Sequence, residues 1–322
     1  MGLCRFVDPL SVQMKAVTAT APGKIILFGE HAVVYGQPAL AVPVWDVYAQ
    51  ATVQPGPPGR GVLIKATDLH LQLSLTKESA HGLVLTVRLV LEQLKVPEPD
   101  VLITASSTIP IAGGMGSGAA ISAALARALG MYLEKPFNES ELSALVYEVE
   151  KFYHGTPSGI DNTVICYGQP VYFVRGQPPV TFQVYSPFHL LIADTGIASP
   201  TKQTVSAVRE RRDSAPEIYD LIFANIGQIA REARQVIERG EIGRLGRLMT
   251  RNHALLCELG VSSPELERLI EAALNAGAEG AKLSGGGGGG NMIALAMPDR
   301  VQPIYSALEK AGAARVIHTV VR

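Results

Sequence analysis

Residues 109–130, IPIAGGMGSGAAISAALARALG, place Gly113, Gly114, Gly116 and Gly118 where a loop runs into a helix built largely of alanine. The first amides of a helix have no partner within it, and the helix dipole adds partial positive charge there. A bare backbone at that point therefore suits a phosphate. A second loop, KLSGGGGGGN at 282–291, carries six consecutive glycines, which are entropically costly to order. Glycine content alone describes a flexible linker, but the apolar run NMIALAM follows at once, so the loop reads as an ordered turn or lid. Two such loops in one chain point to one polyanion.

Other readings of the first loop fit less well. Gly114, Gly116 and Ala119 satisfy the loose G-x-G-x-x-G/A dinucleotide pattern, with Glu134 near the offset of a ribose ligand. That fingerprint needs a strand running straight into the loop and a parallel strand after the helix; here Pro110 intervenes and a second helix follows. A P-loop is excluded because Gly23-Lys24 is followed by Ile25 and has no upstream glycine. Close helix packing accounts for Ala119, Ala120, Ala123, Ala124 and Ala128, but not for bare residues where the orphan amides lie.

The elements that must position these loops alternate between strand and helix. AVTATAPGKIILF reads as a strand, a Pro-Gly break and a second strand, and PALAVPVWDVYAQATV as a further strand. QPGPPGRG (54–61) is an exposed turn, and VLIKATDLHLQLSL a hairpin arm. A helix over 82–94 and a strand over 101–105 lead to the glycine loop and its helix. Asn138 with Glu141 forms a capping box for a helix carrying Leu142, Leu145, Val146 and Val149 on one face and ending at His154-Gly155. TPSGIDN turns the chain into VICYGQPVYFV, read as strand. Beyond PFHLLIADTG, a helical tract over roughly 202–276 precedes the polyglycine loop and its strand. The whole reads as an α+β chain with a mixed first domain, 1–185, and a second α+β domain, 186–322.

Composition limits the function. The 322 residues are 47% hydrophobic and 18% charged, and no apolar run approaches the ~20 residues of a membrane span. Lys and Arg number 28 against 29 Asp and Glu, a net charge of -1, so no broad basic field attracts nucleic acid or a membrane surface. Cys4, Cys166 and Cys257 are far apart without a C-x-x-C pair, against both a disulfide framework and structural zinc. A cytoplasmic setting is expected. The opening MGLCRFVDPLSVQMKAV lacks the apolar region of a signal peptide, Phe6 breaks the lipidation pattern, and Met14 is an alternative natural start.

Five ordered segments together resemble the GHMP kinase superfamily, and within it the mevalonate kinases. APGKIILFGEHAVVYGQPALA (21–41) resembles the first superfamily motif, the glycine loop the second, and KLSGGGGGGNMIAL the third. EKFYHGTPSGIDN (150–162) resembles the stretch that most distinguishes mevalonate kinases from sister enzymes, and DTGIASPTKQTV (194–205) resembles their second-domain substrate segment. The resemblance implies the GHMP kinase fold: an N-terminal domain like domain 2 of ribosomal protein S5, joined to a ferredoxin-like C-terminal domain, with ATP in the cleft between them. It implies transfer of the γ-phosphoryl from ATP to mevalonate, with Mg²⁺. On this likeness Asp161 is the catalytic base with Lys24 beside it. Gly113, Gly114, Met115, Gly116, Ser117, Gly118 and Ala119 cradle ATP, Glu150 helps hold the metal, and Glu30, His31 and Thr201 line the mevalonate end. A homodimer is part of the same expectation.

Residue chemistry agrees with those roles while leaving alternatives. Phosphoryl transfer needs positioning amides, a cation, a metal and a proton acceptor. A lysine beside a carboxylate keeps it ionised, which suits Lys24 with Asp161. Lys24 also reads as an exposed turn lysine. Asp161 taken alone is as good a helix cap as a base, but HGTPSGIDN around it favours function. A helix glutamate usually faces solvent, yet Glu150 shares the apolar row of Leu142 and Val146, where a carboxylate needs a partner such as Mg²⁺. His31 is equally a core histidine or a substrate contact, and Glu30 is undecided with it.

The chain departs from the superfamily pattern where Gly-Leu-Gly-Ser-Ser-Ala-Ala becomes Gly114-Met115-Gly116-Ser117-Gly118-Ala119-Ala120. The second serine, a magnesium ligand by the same likeness, is absent, so Ser117 or an extra water is expected to complete the metal sphere. Gly286 replaces the usual alanine of the third motif, and Asn291 a common cysteine. Two rival functions stay open. One is a sister kinase of phosphomevalonate, homoserine or a sugar, although the segments around His31, Asp161 and Thr201 offer few cations for a second phosphate. The other is a silent nucleotide sensor, against which the retention of both Lys24 and Asp161 argues.

Overall fold

The computed structural model describes residues 15–75, 80–110, 113–155, 157–199 and 201–322, the side chains of Thr201 and Lys202 excepted. Cys4 and the expectations attached to the first fourteen residues lie outside that set. Strands β1 (Val17–Phe28) and β2 (Ala39–Pro55) pair antiparallel. The expected break at Pro22-Gly23 is instead a shift of register within one strand, where Pro22 pairs with Tyr48 and Gly23 with Val44. Proline, having no amide to give, is tolerated in a sheet where the ladder is already interrupted. The interruption has a use: the amide of Lys24, opposite Pro43, bonds the carbonyl of Met115 at 3.0 Å.

The chain continues through the hairpin β3 (Val62–Ala66) and β4 (Leu71–Ser74), α1 (Gly82–Leu94), β5 (Val101–Ser107), α2 (Ser117–Tyr132), α3 (Glu139–His154), α4 (Ile160–Tyr167), β6 (Val171–Phe173) and β7 (Val180–Thr181). Among the described residues these strands form a seven-stranded sheet in the order β4-β3-β5-β2-β6-β7, with β1 on β2. Helix α2 lies against β1 and β2, its alanines Ala119, Ala120, Ala123, Ala124 and Ala128 all buried. Small side chains let the helix backbone come close to the sheet.

The strand expected over VICYGQPVYFV is corrected: Val164–Tyr167 are helical, in α4, and only Val171–Phe173 are strand. Gly159 supplies the left-handed turn before α4 with φ 90°, and Thr163 Oγ1 donates to its carbonyl at 2.6 Å. Asn162 Nδ2 donates to the Ser143 carbonyl at 3.1 Å and to Ser143 Oγ at 2.9 Å, pinning α4 to α3. These tertiary bonds outweigh the strand preference of Val164 and Ile165.

The second half comprises β8 (Phe188–Asp194), α5 (Thr201–Ser214), α6 (Pro216–Arg239), α7 (Leu245–Glu258), α8 (Pro264–Asn275), β9 (Gly280–Ser284), β10 (Asn291–Ala296), α9 (Val301–Lys310) and β11 (Arg315–Val321). Its strands form a four-stranded antiparallel sheet, β11-β8-β10-β9. Successive strand residues point to opposite faces. Leu190, Ile192, Ile293 and Leu295 accordingly join the core that also holds Leu40 and Val42 of the first sheet. Leu191, Ala193, Met292 and Ala294 pack on the other face with Leu266, Leu269, Ile304 and Leu308 of α8 and α9. Both faces of this sheet are covered, and one cover is the first half of the chain. No helix among the described residues is long and apolar enough to cross a membrane.

Candidate active site

Lys24 Nζ lies 2.9 Å from Asp161 Oδ1, joining a residue of β1 to the first turn of α4. The lysine side chain is only 5% exposed and the aspartate 31%, so the pair is embedded on one side and accessible on the other. The α3–α4 lock through Asn162 and Ser143 fixes where Asp161 stands. The bond from the Lys24 amide to Met115 sets the pair against the glycine loop. Gly116 ends that loop with φ 73° as the N-cap of α2 and makes no side-chain cap, whereas α3 carries the full Asn138–Glu141 box. A side-chain carbon on Gly116 would stand 2.6 Å from Ile165 Cδ1 and 3.3 Å from Lys24 Cγ, so a larger residue would crowd the lysine. The first amides of α2 are thus left without a side-chain acceptor next to a cation.

Glu150 is buried near the end of α3, as its place on the apolar row requires. Its Oε2 is 3.7 Å from His154 Nε2, while Oε1 is buried without a hydrogen-bond partner. Burial, and then the nearby Asp161 charge, push its carboxyl up to about 7, against the opposing pull of Lys24. A side-chain carbon on Gly118 would lie 3.4 Å from Glu150 Oε1. Gly118 on α2 therefore stands opposite the orphan oxygen; Ser117, the residue before it, is turned about 100° round the helix.

Glu30 and His31 meet a second group of residues, from β9 and the polyglycine loop. Lys282 Nζ donates to Glu30 Oε1 and, at 2.6 Å, to the Leu283 carbonyl; both side chains of the ion pair are 0% exposed. Burial raises the Glu30 carboxyl and lowers the Lys282 ammonium, and each is opposed by the attraction of the other. His31 has φ 60° and ψ −48°, outside the regions side-chain-bearing residues usually occupy, and is held there as its Nε2 bonds the Gly286 carbonyl at 3.0 Å. Burial lowers its imidazole to about 4, so the ring is neutral. Thr201 begins α5, and its side chain lies outside the described residues.

The two glycine loops come together. Asn291 Nδ2 donates to the carbonyl of Gly113, and Ser199 Oγ to that of Gly287 at 2.8 Å. The amide of Gly288 bonds the Val261 carbonyl at 2.8 Å. Asn291 thus has a role of its own where the common cysteine offers no such donor. Lys282 is not among the expected site residues; in the structure it lies inside the wholly buried strand GAKLS that leads into the glycines, and that burial is not legible in the sequence.

Comparison with known proteins gives the family. The N-terminal domain model of the GHMP kinases matches residues 81–169 and the C-terminal model residues 233–314. The mevalonate kinase of Thermococcus gammatolerans is 35% identical over 94% of this chain and 95% of its own, and that of Pyrococcus horikoshii 34% over 96% and 97%. The crystal structure of L. major mevalonate kinase in complex with R-mevalonate superposes with a TM-score of 0.83 at 28% identity, covering 95% of each chain. With both domain models matched in order and near-full-length relatives above 30% identity, the chain belongs to the GHMP kinases, in their mevalonate kinase family.

Proposed function

We propose that the protein transfers the γ-phosphoryl of ATP to the primary hydroxyl of mevalonate, giving 5-phosphomevalonate by direct in-line displacement. The observation that carries the reading is the Lys24–Asp161 pair, 2.9 Å across, beside the uncapped start of α2. Amides of Gly113–Ala119 would hold the triphosphate, where the helix dipole favours negative charge. The Lys24 ammonium pairs with the Asp161 carboxylate and offers positive charge to the phosphoryl in flight. Asp161, whose side chain is 31% exposed, takes the hydroxyl proton as the oxygen attacks.

The residues present fit a magnesium ion: Glu150 Oε1 is buried with no donor, and Gly118 leaves room in front of it. Glu150 would hold the ion, with Ser117 or water completing the sphere. When bound, the ion neutralises charge on the phosphate oxygens. Glu30, through Lys282, and His31, through Gly286, shape the acceptor end by tying β9 and the polyglycine loop to the turn after β1. Thr201 belongs to that end on the resemblance alone, as do a homodimer and a cytoplasmic setting.

The test is a coupled assay of the full chain with MgATP against R-mevalonate, phosphomevalonate, homoserine and galactose in parallel. The expected result is a kcat/KM for mevalonate well above the rest. A higher value for another acceptor would assign the chain to a sister reaction, and no turnover with any of them would leave a nucleotide-binding protein.

A further inference from the structure

In the second half of the chain, α7 and α8 turn three ligand-type side chains toward one point. His253 and Cys257 lie one helical turn apart on α7, and Glu267 reaches across from the first turn of α8. His253 Nε2 is 3.1 Å from Glu267 Oε1, and Cys257 Sγ is 3.5 Å from each of those two atoms. For a tetrahedral ion with metal–nitrogen and metal–oxygen bonds of about 2.0–2.1 Å and a metal–sulfur bond of about 2.3 Å, the ligand edges are roughly 3.3 Å between N and O and roughly 3.5 Å from S to either. The three atoms already have the spacing of one face of that polyhedron.

A hydrogen-bonded relay accounts for the arrangement less well. In a thiol–imidazole–carboxylate relay the thiol and the carboxylate take opposite ring nitrogens. Here both meet Nε2, and Nδ1 is buried with no hydrogen-bond partner. His253 is buried while Cys257 and Glu267 are exposed, which leaves a way in from solvent. Ser262 Oγ donates to Glu267 Oε1 and steadies it.

We propose that His253, Cys257 and Glu267 form a binding site for a divalent ion of the zinc class, separate from the magnesium position at Glu150. A sulfur, an imidazole nitrogen and a carboxylate oxygen are a borderline-soft donor set, suited to zinc and poorly suited to magnesium. The widely spaced cysteines, without a C-x-x-C pair, read against structural zinc; the ligands here are a His-x₃-Cys face and a glutamate from the next helix.

Protonation sets the stoichiometry of binding. Burial, reinforced by Glu267, pushes the Cys257 thiol up to about 11. Burial lowers the His253 imidazole against the pull of Glu267. Burial would raise the Glu267 carboxyl, but Ser262 and His253 hold it below its ordinary value. Lys282 from β9 and Glu258 on α7 are the further charges acting on the group. A bound ion takes the place of the Cys257 thiol proton, which leaves to solvent. The loop joining α7 to α8 carries Val261, whose carbonyl holds Gly288, so a bound ion would brace the segment that supports the polyglycine loop.

Cobalt(II) added to the chelator-treated full chain tests the site. A thiolate-to-cobalt charge-transfer band should appear, saturate at one ion per chain, release one proton and vanish on addition of zinc. Cys257→Ser should lose the band with its circular dichroism unchanged, and His253→Gln should weaken cobalt binding about tenfold or more. A folded wild-type protein with no such band, or a band of equal strength in Cys257→Ser, overturns the proposal. Because the magnesium position offers no thiolate, the readout is independent of kinase activity.

Discussion

Gly118 faces Glu150 across the start of α2: a side-chain carbon there would stand 3.4 Å from the buried, unpartnered Oε1. That distance is ordinary contact, so a serine fits and its hydroxyl can reach the carboxylate or an ion it holds. Gly118→Ser is expected to lower the free Mg²⁺ needed for half-maximal rate about tenfold, equivalent to roughly 1.4 kcal/mol, near the low end for a hydrogen bond to a charged group. Rates measured against free Mg²⁺ at saturating ATP give the answer.

Ser117 carries the hydroxyl that the loop retains. If it completes the magnesium sphere, Ser117→Ala should raise the Mg²⁺ requirement several-fold, with little change in rate once Mg²⁺ saturates. An unchanged requirement assigns the position to water.

The Glu150 carboxyl, raised from 4.5 to about 7 chiefly by burial, makes the metal-free protein pH-sensitive in a defined direction. Between those values the folded state keeps a proton that the unfolded chain has released, so stability falls as pH rises through the window and the loss is complete above it. Glu150→Gln has no such charge to bury. In the presence of a chelator it should match wild type near pH 4 and exceed it near pH 8 by up to about 3 kcal/mol, while losing activity. Urea unfolding across pH reads the difference; parallel curves would remove the buried charge from the account.

Asp161→Asn keeps the shape of the α4 turn and removes the proposed proton acceptor. Turnover should drop by about 10²- to 10⁴-fold, with ATP affinity by equilibrium titration within about twofold of wild type. Turnover at the wild-type level would take Asp161 out of the reaction.

Lys282 and Glu30 join the two halves through a pair with no solvent exposure. Lys282→Met leaves the glutamate charge buried and alone, a change that costs about 3–5 kcal/mol in comparable settings. Adding Glu30→Gln should restore a large part of that loss, since the stranded charge is then gone. Denaturant unfolding of the two single variants and the double variant measures the coupling, and additive effects would mean the two groups act separately.

Much of this was legible before any coordinates, wherever the signal was local. The bare loop into α2 and the Asn138–Glu141 box each depend on residues within a few positions of one another. Glu150 was found because helical periodicity puts it on a buried row, and that too is a short-range property. Local signals failed at Pro22-Gly23, where a break was expected and β1 runs on, and at Val164–Tyr167, where β-branched residues resembled strand and α4 formed. At both places bonds from distant residues, Met115 to Lys24 and Ser143 to Asn162, overrode the local preference.

Residue types and spacing by themselves determined that a glycine loop leading into a helix, a lysine, two carboxylates and a second glycine loop were present, because each is written in a few adjacent positions. Only the tertiary structure decided that Lys24 meets Asp161, that Gly118 stands opposite Glu150, and that Lys282 closes on Glu30 from 252 residues away. Those relationships depend on how two sheets and their helices pack, and the burial that drives packing is a property of the whole chain, encoded in no single segment of it.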